Sequence, residues 1–188
     1  VGEDLDGNPL TFSVEDLPQH GTYVGNLYAP DDNYFGPDTF TYVANDGLLN
    51  SEPATVSITI LSVNDAPSIA YISNQSIGEG ETLSILINAI DIENDAITIS
   101  VAEDNLPSEY MFYDSGNGIG NFTWTPGPTD EGTYEIIFRA DDNFDSSEIT
   151  VIISVGSVNR PPELTFIEDQ LVNETESLNL DFTAIDLD

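Results

Sequence analysis

Short runs in which apolar and polar residues alternate make up most of the chain, and Gly, Pro, Asn and Asp separate them. Seven runs follow this two-residue period: residues 10–14, 39–43, 54–60, 83–87, 96–101, 134–138 and 149–155. The alternation predicts β-strands, because successive side chains of a strand point to opposite faces. Phe40, Tyr42 and Ala44 should therefore share one face, as should Ile136, Phe138 and Ala140. No segment shows a helical period, so the sequence predicts an all-β fold of Greek-key β-sandwich domains.

The sequence also repeats itself over a long interval. Matched residues are separated by 95 positions: Asn64 and Asn159, Gln75 and Gln170, Glu79 and Glu174, Asp91 and Asp186. A fixed offset of this kind indicates tandem structural units, and about 95 residues is the size of one β-sandwich domain. We therefore expect three parts: residues 1–64, a sandwich that lacks its opening strands; residues 65–160, a complete sandwich; and residues 161–188, the opening strands of a third domain.

Charge narrows the range of partners. The chain has 35 acidic residues against two basic ones, Arg139 and Arg160, and a formal net charge of −33. This excludes binding to nucleic acid or to an anionic membrane, since both need a cationic face. With 39% hydrophobic residues a packed fold is still favoured over disorder. There is no cysteine, hence no disulfide and no thiolate ligand, and no apolar run is long enough to span a membrane.

The carboxylates cluster in turns near the two Val-Asn linkers. The clusters comprise Asp4 and Asp6; Asp31 and Asp32; Asp46; Asp65; Asp91, Glu93 and Asp95; Asp141 and Asp142; and Asp186 and Asp188. Calcium takes six to eight oxygen ligands, which an Asp-x-Asp turn facing an Asn-Asp linker can supply. The alternative is that Asp and Asn simply favour turns. Both interpretations stay open at the level of composition and spacing.

Longer motifs carry a resemblance to known families. The first part contains DLDGNPLTFSV, HGTYVGNLYAP and DTFTYVANDG, and it resembles the bacterial cadherin-like repeats of the tandem-95 and VCBS type. The second part contains NQSIGEGETL, AIDIENDAITISV and GTYEIIFRADDN, and it resembles the dystroglycan-type cadherin-like domain. The resemblance implies tandem Ig-like or cadherin-like sandwiches of an extracellular or cell-surface protein, stiffened by Ca²⁺ at the domain junctions.

The resemblance also implies the ligand residues. For the first junction it implies the linker residues Asn64 and Asp65, with Asp31 and Asn33 on one side and Asp91, Glu93 and Asp142 on the other. For the second junction it implies Glu79, Asn159, Asp186 and Asp188. Asp4, Asp6 and Asp46 would serve a junction that precedes residue 1. The second linker departs from the pattern, because Arg160 stands where the first linker has Asp65.

Other candidate residues point away from catalysis. His20, the single histidine, is expected to be a turn residue, since no nucleophile accompanies it. Trp124 is expected in the core, with stacking on a sugar as the alternative. Paired carboxylates can hydrolyse glycosides, but here they recur at linkers. The sequence therefore predicts that the chain is not an enzyme.

Two functions remain. The favoured one is a structural or adhesive module forming a calcium-stiffened rod or filament, with neighbouring repeats, other copies or a cell-surface ligand as partners. The alternative is a carbohydrate-binding module of a secreted enzyme. Residues 161–188 of a neighbouring chain could also complete the first part by strand addition. A sequence window cut from a longer polypeptide would equally account for the split domains.

Overall fold

A computed structural model describes residues 7–186, and these divide into two compact units with the boundary between residues 64 and 65. Strands account for all the regular secondary structure of the described residues. The all-β prediction is therefore confirmed. No helix in residues 7–186 is long and apolar enough to cross a membrane.

The described part of the first unit, residues 7–64, contains five strands in two sheets. Strands β1 (Thr11–Val14), β4 (Gly36–Asn45) and β5 (Ala54–Ile60) form an antiparallel sheet in which β4 is central. Strands β2 (Gly21–Val24) and β3 (Leu27–Pro30) form a separate hairpin. Gly25 and Asn26 make its turn with positive φ angles of 59° and 70°, a conformation that Gly and Asn adopt most readily.

The core of the first unit is small and partly open. Phe40 and Val43 are buried, whereas Phe12 is more than half exposed. An apolar groove of about 380 Å³ is lined by Phe12, Tyr23, Phe40, Tyr42 and Val56, among others. Phe40 and Tyr42 line this groove together, which confirms that they share a face. Burial of Val43 was not expected from the alternation, and it shows that the opposite face of β4 is also covered at that point.

The second unit is a sandwich of two four-stranded sheets. One sheet has the order β10 (Met111–Gly116), β11 (Ile119–Trp124), β8 (Leu83–Ile90) and β6 (Ser68–Ile69). The other has the order β7 (Gln75–Gly78), β13 (Ser146–Gly156), β12 (Gly132–Asp141) and β9 (Thr98–Asp104). All pairs are antiparallel except β7 with β13, which is parallel. Crossovers between the sheets give this unit its non-sequential strand order.

The core of the second unit lies between these sheets. Ile136, Phe138 and Ala140 of β12 are fully buried, which confirms that they share one face. The rings of Phe122 and Phe138 meet edge to face with centroids 5.6 Å apart, an arrangement favoured between aromatic rings. Trp124 is 1% exposed. Burial of these large side chains removes the most apolar surface from water and so supplies the main stabilisation of the unit.

Residues 161–186 carry little regular structure. Strands β14 (Glu163–Leu164) and β15 (Ala184–Ile185) form a two-residue antiparallel ladder. Every residue from 161 to 186 is exposed, including large apolar side chains such as Phe166, Leu171 and Phe182. A two-stranded ladder of this length is only marginally stable by itself.

Candidate metal-binding loops

Strand register gathers acidic loops at one end of the second unit. Strand β6 pairs with β8 so that Ser68 lies opposite Ile90, which places the linker before β6 beside the loop after β8. The backbone N–H of Asp65 donates to Oε2 of Glu93 at 3.2 Å. The Ser147 hydroxyl donates to the carbonyl of Pro67 and ties the β12–β13 turn to the same linker.

Asp91 has one carboxylate oxygen in use and one that is not. Its Oδ1 accepts hydrogen bonds from the backbone N–H groups of Glu93 and Asp95, both at 2.9 Å. Its Oδ2 is buried and has no hydrogen-bond partner among the described residues. A buried acceptor without a partner costs about 1–3 kcal/mol, and more when it is charged. This oxygen therefore fits a cation better than it fits the protein alone.

Asp142 caps the β12–β13 turn nearby. It is 1% exposed, and its Oδ1 accepts from the backbone N–H groups of Phe144 at 2.7 Å and Asp145 at 2.6 Å. The turn geometry explains why an acidic residue stands here whether or not a metal binds. Asp142 thus serves the fold of this turn, which Ser147 ties to the linker.

These loops do not present a cage made of carboxylates alone. Within residues 7–186, no three side chains of His, Cys, Asp and Glu are arranged to hold a metal ion. Calcium also takes backbone and amide carbonyl oxygens, so fewer than three converging carboxylates can suffice. The donor chemistry of this end, which consists of oxygens only, fits Ca²⁺ and does not fit a soft metal.

In the first unit, the predicted ligands occupy turns. Asp31 is exposed, and its backbone N–H donates to the His20 carbonyl at 3.0 Å. Asn33 has a φ of 60°, typical of a turn.

Asp46 accepts from the backbone N–H groups of Leu48 at 2.7 Å and Leu49 at 2.8 Å. Hydrogen bonds from Leu49 and then Leu48 lower the pKa of Asp46, so its carboxylate is already engaged in a turn. Asn64 is the last residue of this unit.

The residues predicted for the second junction are distributed differently. Glu79 is 7% exposed, and its Oε2 lies 2.6 Å from Nη2 of Arg160. The Asn159 side chain donates to the Arg160 carbonyl at 3.3 Å. Asp186 is exposed near the end of the described residues. Asp4, Asp6 and Asp188 lie outside the described residues.

Sequence reasoning missed one buried carboxylate, Asp38. It is 4% exposed. Its carboxylate accepts from the Tyr28 hydroxyl at 2.8 Å. It also accepts from three backbone N–H groups, those of Gln19, His20 and Thr39. Burial acts to raise the pKa of Asp38, but these hydrogen bonds outweigh it and lower the pKa. The signal in the sequence was that Asp38 stands two residues before Phe40, on the buried face of β4.

Tyr28 is the counterpart of Asp38. Burial, aided by the hydrogen bond to the Asp38 carboxylate, raises the pKa of Tyr28 to about 12. The Tyr28 hydroxyl also lies 3.2 Å from the carbonyl of His20. Together the two side chains fasten the β2–β3 hairpin and the turn before it to β4, so the role of Asp38 is structural.

The two aromatic candidates have structural positions. The His20 ring stacks on Tyr34 with centroids 3.8 Å apart. Trp124 is buried in the core, and its Nε1 donates to the Ser108 hydroxyl at 3.0 Å. The prediction that Trp124 is a core residue is confirmed. The alternative, that it stacks on a sugar, is wrong, because the ring has no exposed face.

The two-sheet sandwich of the second unit and the related five strands of the first define tandem immunoglobulin-like β-sandwich domains. The sequence pattern of the family described as "Bacterial Ig domain" matches residues 1–59 and 64–154. The chain belongs to this family. The finer assignment to tandem-95 and dystroglycan-type repeats stays a prediction.

The similar proteins are either much longer than this chain or share little sequence identity with it. Integrin beta-like proteins A and B of Dictyostelium discoideum are both 26% identical over 231 aligned residues that cover 100% of this chain. The chain spans 12% of the length of either relative. The solved structure of human protocadherin-24 EC1-2 has a TM-score of 0.53 at 17% identity, covering 84% of this chain and 87% of that one. This likeness supports the fold alone, and the predicted Ig-like or cadherin-like fold class is confirmed.

Proposed function

We propose that this chain is a structural and adhesive segment of a larger extracellular or cell-surface protein, in which Ca²⁺ stiffens a rod of tandem domains. Family membership and the integrin beta-like relatives support a non-enzymatic, surface-exposed role. The net charge of −33 supports a dependence on cations, because a chain of this charge repels itself at low salt. The carbohydrate-binding alternative loses its main support now that Trp124 is buried.

The single observation that carries the calcium proposal is the buried Oδ2 of Asp91. The residues that would hold the ion are Asp91, Glu93, Asp65 and Asp142. A bound Ca²⁺ supplies two positive charges and a set of bonds to oxygen. Glu93 and Asp65 already hold the linker against the loop after β8, so their part is to fix the linker in a position where a cation can be shared.

Thermal melting of the full chain with calcium and with a chelator tests this proposal. A ligand that binds the native state alone stabilises it by about 2.7 kcal/mol at 100 times its dissociation constant. We expect calcium to raise the melting temperature of the wild type and to have little effect on Asp91→Asn. The matched control is Asp95→Asn, which removes the same charge from an exposed side chain of the same loop and should keep the calcium response.

Equal responses from the wild type and Asp91→Asn would refute the assignment of the ion to this loop. Absence of any response in the wild type, at matched ionic strength, would refute the calcium proposal as a whole. Matched ionic strength is needed because general screening stabilises a strongly acidic chain without any specific site.

We further propose that residues 178–185 of one copy can add to the first unit of another. Leu83, Ile85, Ile87 and Ala89 of β8 are buried in the second unit. The residues 95 positions later, Leu178, Leu180, Phe182 and Ala184, repeat this apolar alternation and are exposed.

The apolar groove of the first unit, lined by Phe12, Tyr23, Phe40, Tyr42 and Val56, suits such a strand, because strand addition pairs the backbone while alternate side chains fill a groove. Light scattering of the full chain over a range of concentrations tests this idea. A mass that stays monomeric up to about 100 μM, in the μM–mM range where exposed strands associate, would rule it out.

A further inference from the structure

The second linker already holds a cation of its own, the guanidinium of Arg160. Its Nη2 lies 2.6 Å from Oε2 of Glu79, and its Nη1 donates to the carbonyl of Pro128 at 3.0 Å. The Glu79 side chain is 3% exposed and that of Arg160 is 27% exposed. The same Glu79 oxygen also accepts from the backbone N–H of Val158 at 3.4 Å. Glu79 is thus a buried carboxylate whose charge is balanced from the linker.

The repeat shows what Arg160 replaces. Asp65 of the first linker and Arg160 of the second are separated by the repeat offset of 95 positions, as are Asn64 and Asn159 before them. The first linker therefore brings a carboxylate to its acidic loops, where a mobile cation is needed to balance the charge. The second linker brings a positive charge to an acidic side chain, so no further cation is needed there.

We propose that Arg160 is the resident cation of the second linker and makes this linker independent of calcium. The inference rests on the proposed calcium role of the first linker. A metal ion at Glu79 would have to displace the guanidinium from a short, largely buried ion pair, and the two positive charges would repel each other. Arginine offers only donors, so it supplies no lone pair to a metal. Calcium therefore acts on one linker of this chain, while the other is set by its sequence.

The experiment compares two variants that lose the same charge. Arg160→Met removes the resident cation. Arg139→Met is the matched control, because the Arg139–Asp141 pair is 2.9 Å long but its side chains are 42% and 38% exposed. Both variants keep the acidic loops at the first linker. Melting of the full chain is followed in chelator and in calcium chloride, with sodium chloride at matched ionic strength.

In chelator we expect Arg160→Met to melt roughly 5 °C or more below the wild type, because it leaves a buried carboxylate unbalanced. Arg139→Met should melt within about 2 °C of the wild type, as is usual for an exposed pair. Calcium at about 10 mM exceeds the dissociation constants of weak extracellular sites. It should close at least half of the gap in melting temperature between Arg160→Met and the wild type in the same calcium, since Glu79 is then open to a metal ion.

A calcium-induced rise in the melting temperature of Arg160→Met that is no larger than that of the wild type would overturn the proposal, because Arg160 would then be an ordinary structural partner of Glu79. Equal melting temperatures of the two variants would overturn it as well. The double variant Glu79→Gln/Arg160→Met covers the case in which the single variant fails to fold. It carries no charge at these two positions, and it should fold with the calcium response of the wild type, which belongs to the first linker. A calcium response larger than that of the wild type would contradict the role of Glu79.

Failure of this inference can be told apart from failure of the proposed function. A wild type without a calcium response beside an Arg160→Met variant with one would refute the first-linker site and leave Arg160 as proposed. A wild type that responds to calcium, beside an Arg160→Met variant that gains no more from calcium than Arg139→Met does, would have the opposite meaning. It would refute the proposal for Arg160 and leave the first-linker site as proposed.

Discussion

A single methyl group added at Gly118 should damage the second unit in a calculable way. Gly118 lies in the turn between β10 and β11 with a φ of +73°. A Cβ at this position would lie 2.3 Å from the Ala89 carbonyl oxygen and 3.1 Å from Cδ1 of Ile97. The backbone N–H of Ala89 also donates to the Gly118 carbonyl at 2.8 Å. The added atom therefore meets backbone that is already fixed by a hydrogen bond and cannot easily move away.

Gly116, two residues earlier, separates the two parts of the cost. It has a φ of +78°, and a Cβ there would meet nothing within 4 Å. Gly116→Ala should therefore cost only the left-handed conformation, about 1–2 kcal/mol. Gly118→Ala bears the same conformational cost, and the steric overlap adds about 1–3 kcal/mol more. The expected difference between the two variants is thus about 1–3 kcal/mol.

Urea unfolding followed by Trp124 fluorescence measures this difference, because Trp124 is the single tryptophan and is buried in the second unit. The two variants should share the slope of the wild type and differ in midpoint. Ala89 is two residues before Asp91, so Gly118→Ala should also weaken the calcium response. Equal losses of unfolding free energy in the two variants would show that the contact with Ala89 is not rigid, and that the steric reasoning is wrong.

Two further predictions concern the first unit and self-association. Tyr28 has its pKa raised to about 12, so between about pH 10 and 12 the folded state keeps a proton that the unfolded state releases. The stabilisation that Tyr28 provides should be complete below about pH 10 and fall as pH rises towards 12. The difference in melting temperature between the wild type and Tyr28→Phe should shrink over that range. Phe182→Asp should abolish the concentration-dependent association that light scattering measures. Asn179→Asp adds the same charge on the opposite face of the strand and should leave association unchanged. Equal masses for the two variants would refute the predicted register.

Much of the fold followed from two-residue alternation. All seven alternating runs became strands, and the residues predicted to share a face of β12 are buried together. The hairpins β2–β3 and β10–β11 were not predicted, because Gly21 and Gly120 interrupt the apolar alternation. Both glycines are required by close packing: a Cβ at Gly21 would lie 2.5 Å from the Ala29 carbonyl oxygen, and one at Gly120 would lie 2.8 Å from Cγ2 of Ile99. The parallel pairing of β7 with β13 joins distant segments, and no local pattern encodes it.

The candidate site was predictable in outline. The linker motif and the resemblance predicted that Asp91, Glu93 and Asp65 lie together. The register of β6 against β8 places them at one end of the second unit. The repeat revealed that Arg160 replaces an acidic residue, but the partner of Arg160 lies 81 positions away and required the fold. Turn roles of carboxylates such as Asp46 were equally hidden, because the sequence motif for a turn and that for a metal ligand use the same residue type.

The parallel ladder between β7 and β13 has a mechanical consequence. β7 lies near the start of the second unit, after the linker and β6, and β13 is the last strand of the sandwich. Gln75 lies opposite Ile153, and Gly78 lies opposite Gly156. Tension applied through the chain on both sides of this unit pulls the two strands past each other along their length. Their hydrogen bonds are then loaded together in shear and cannot open one after another. Resistance to extension depends on the rate of forced unfolding, so a domain with this ladder can withstand pulling even where its equilibrium stability is modest.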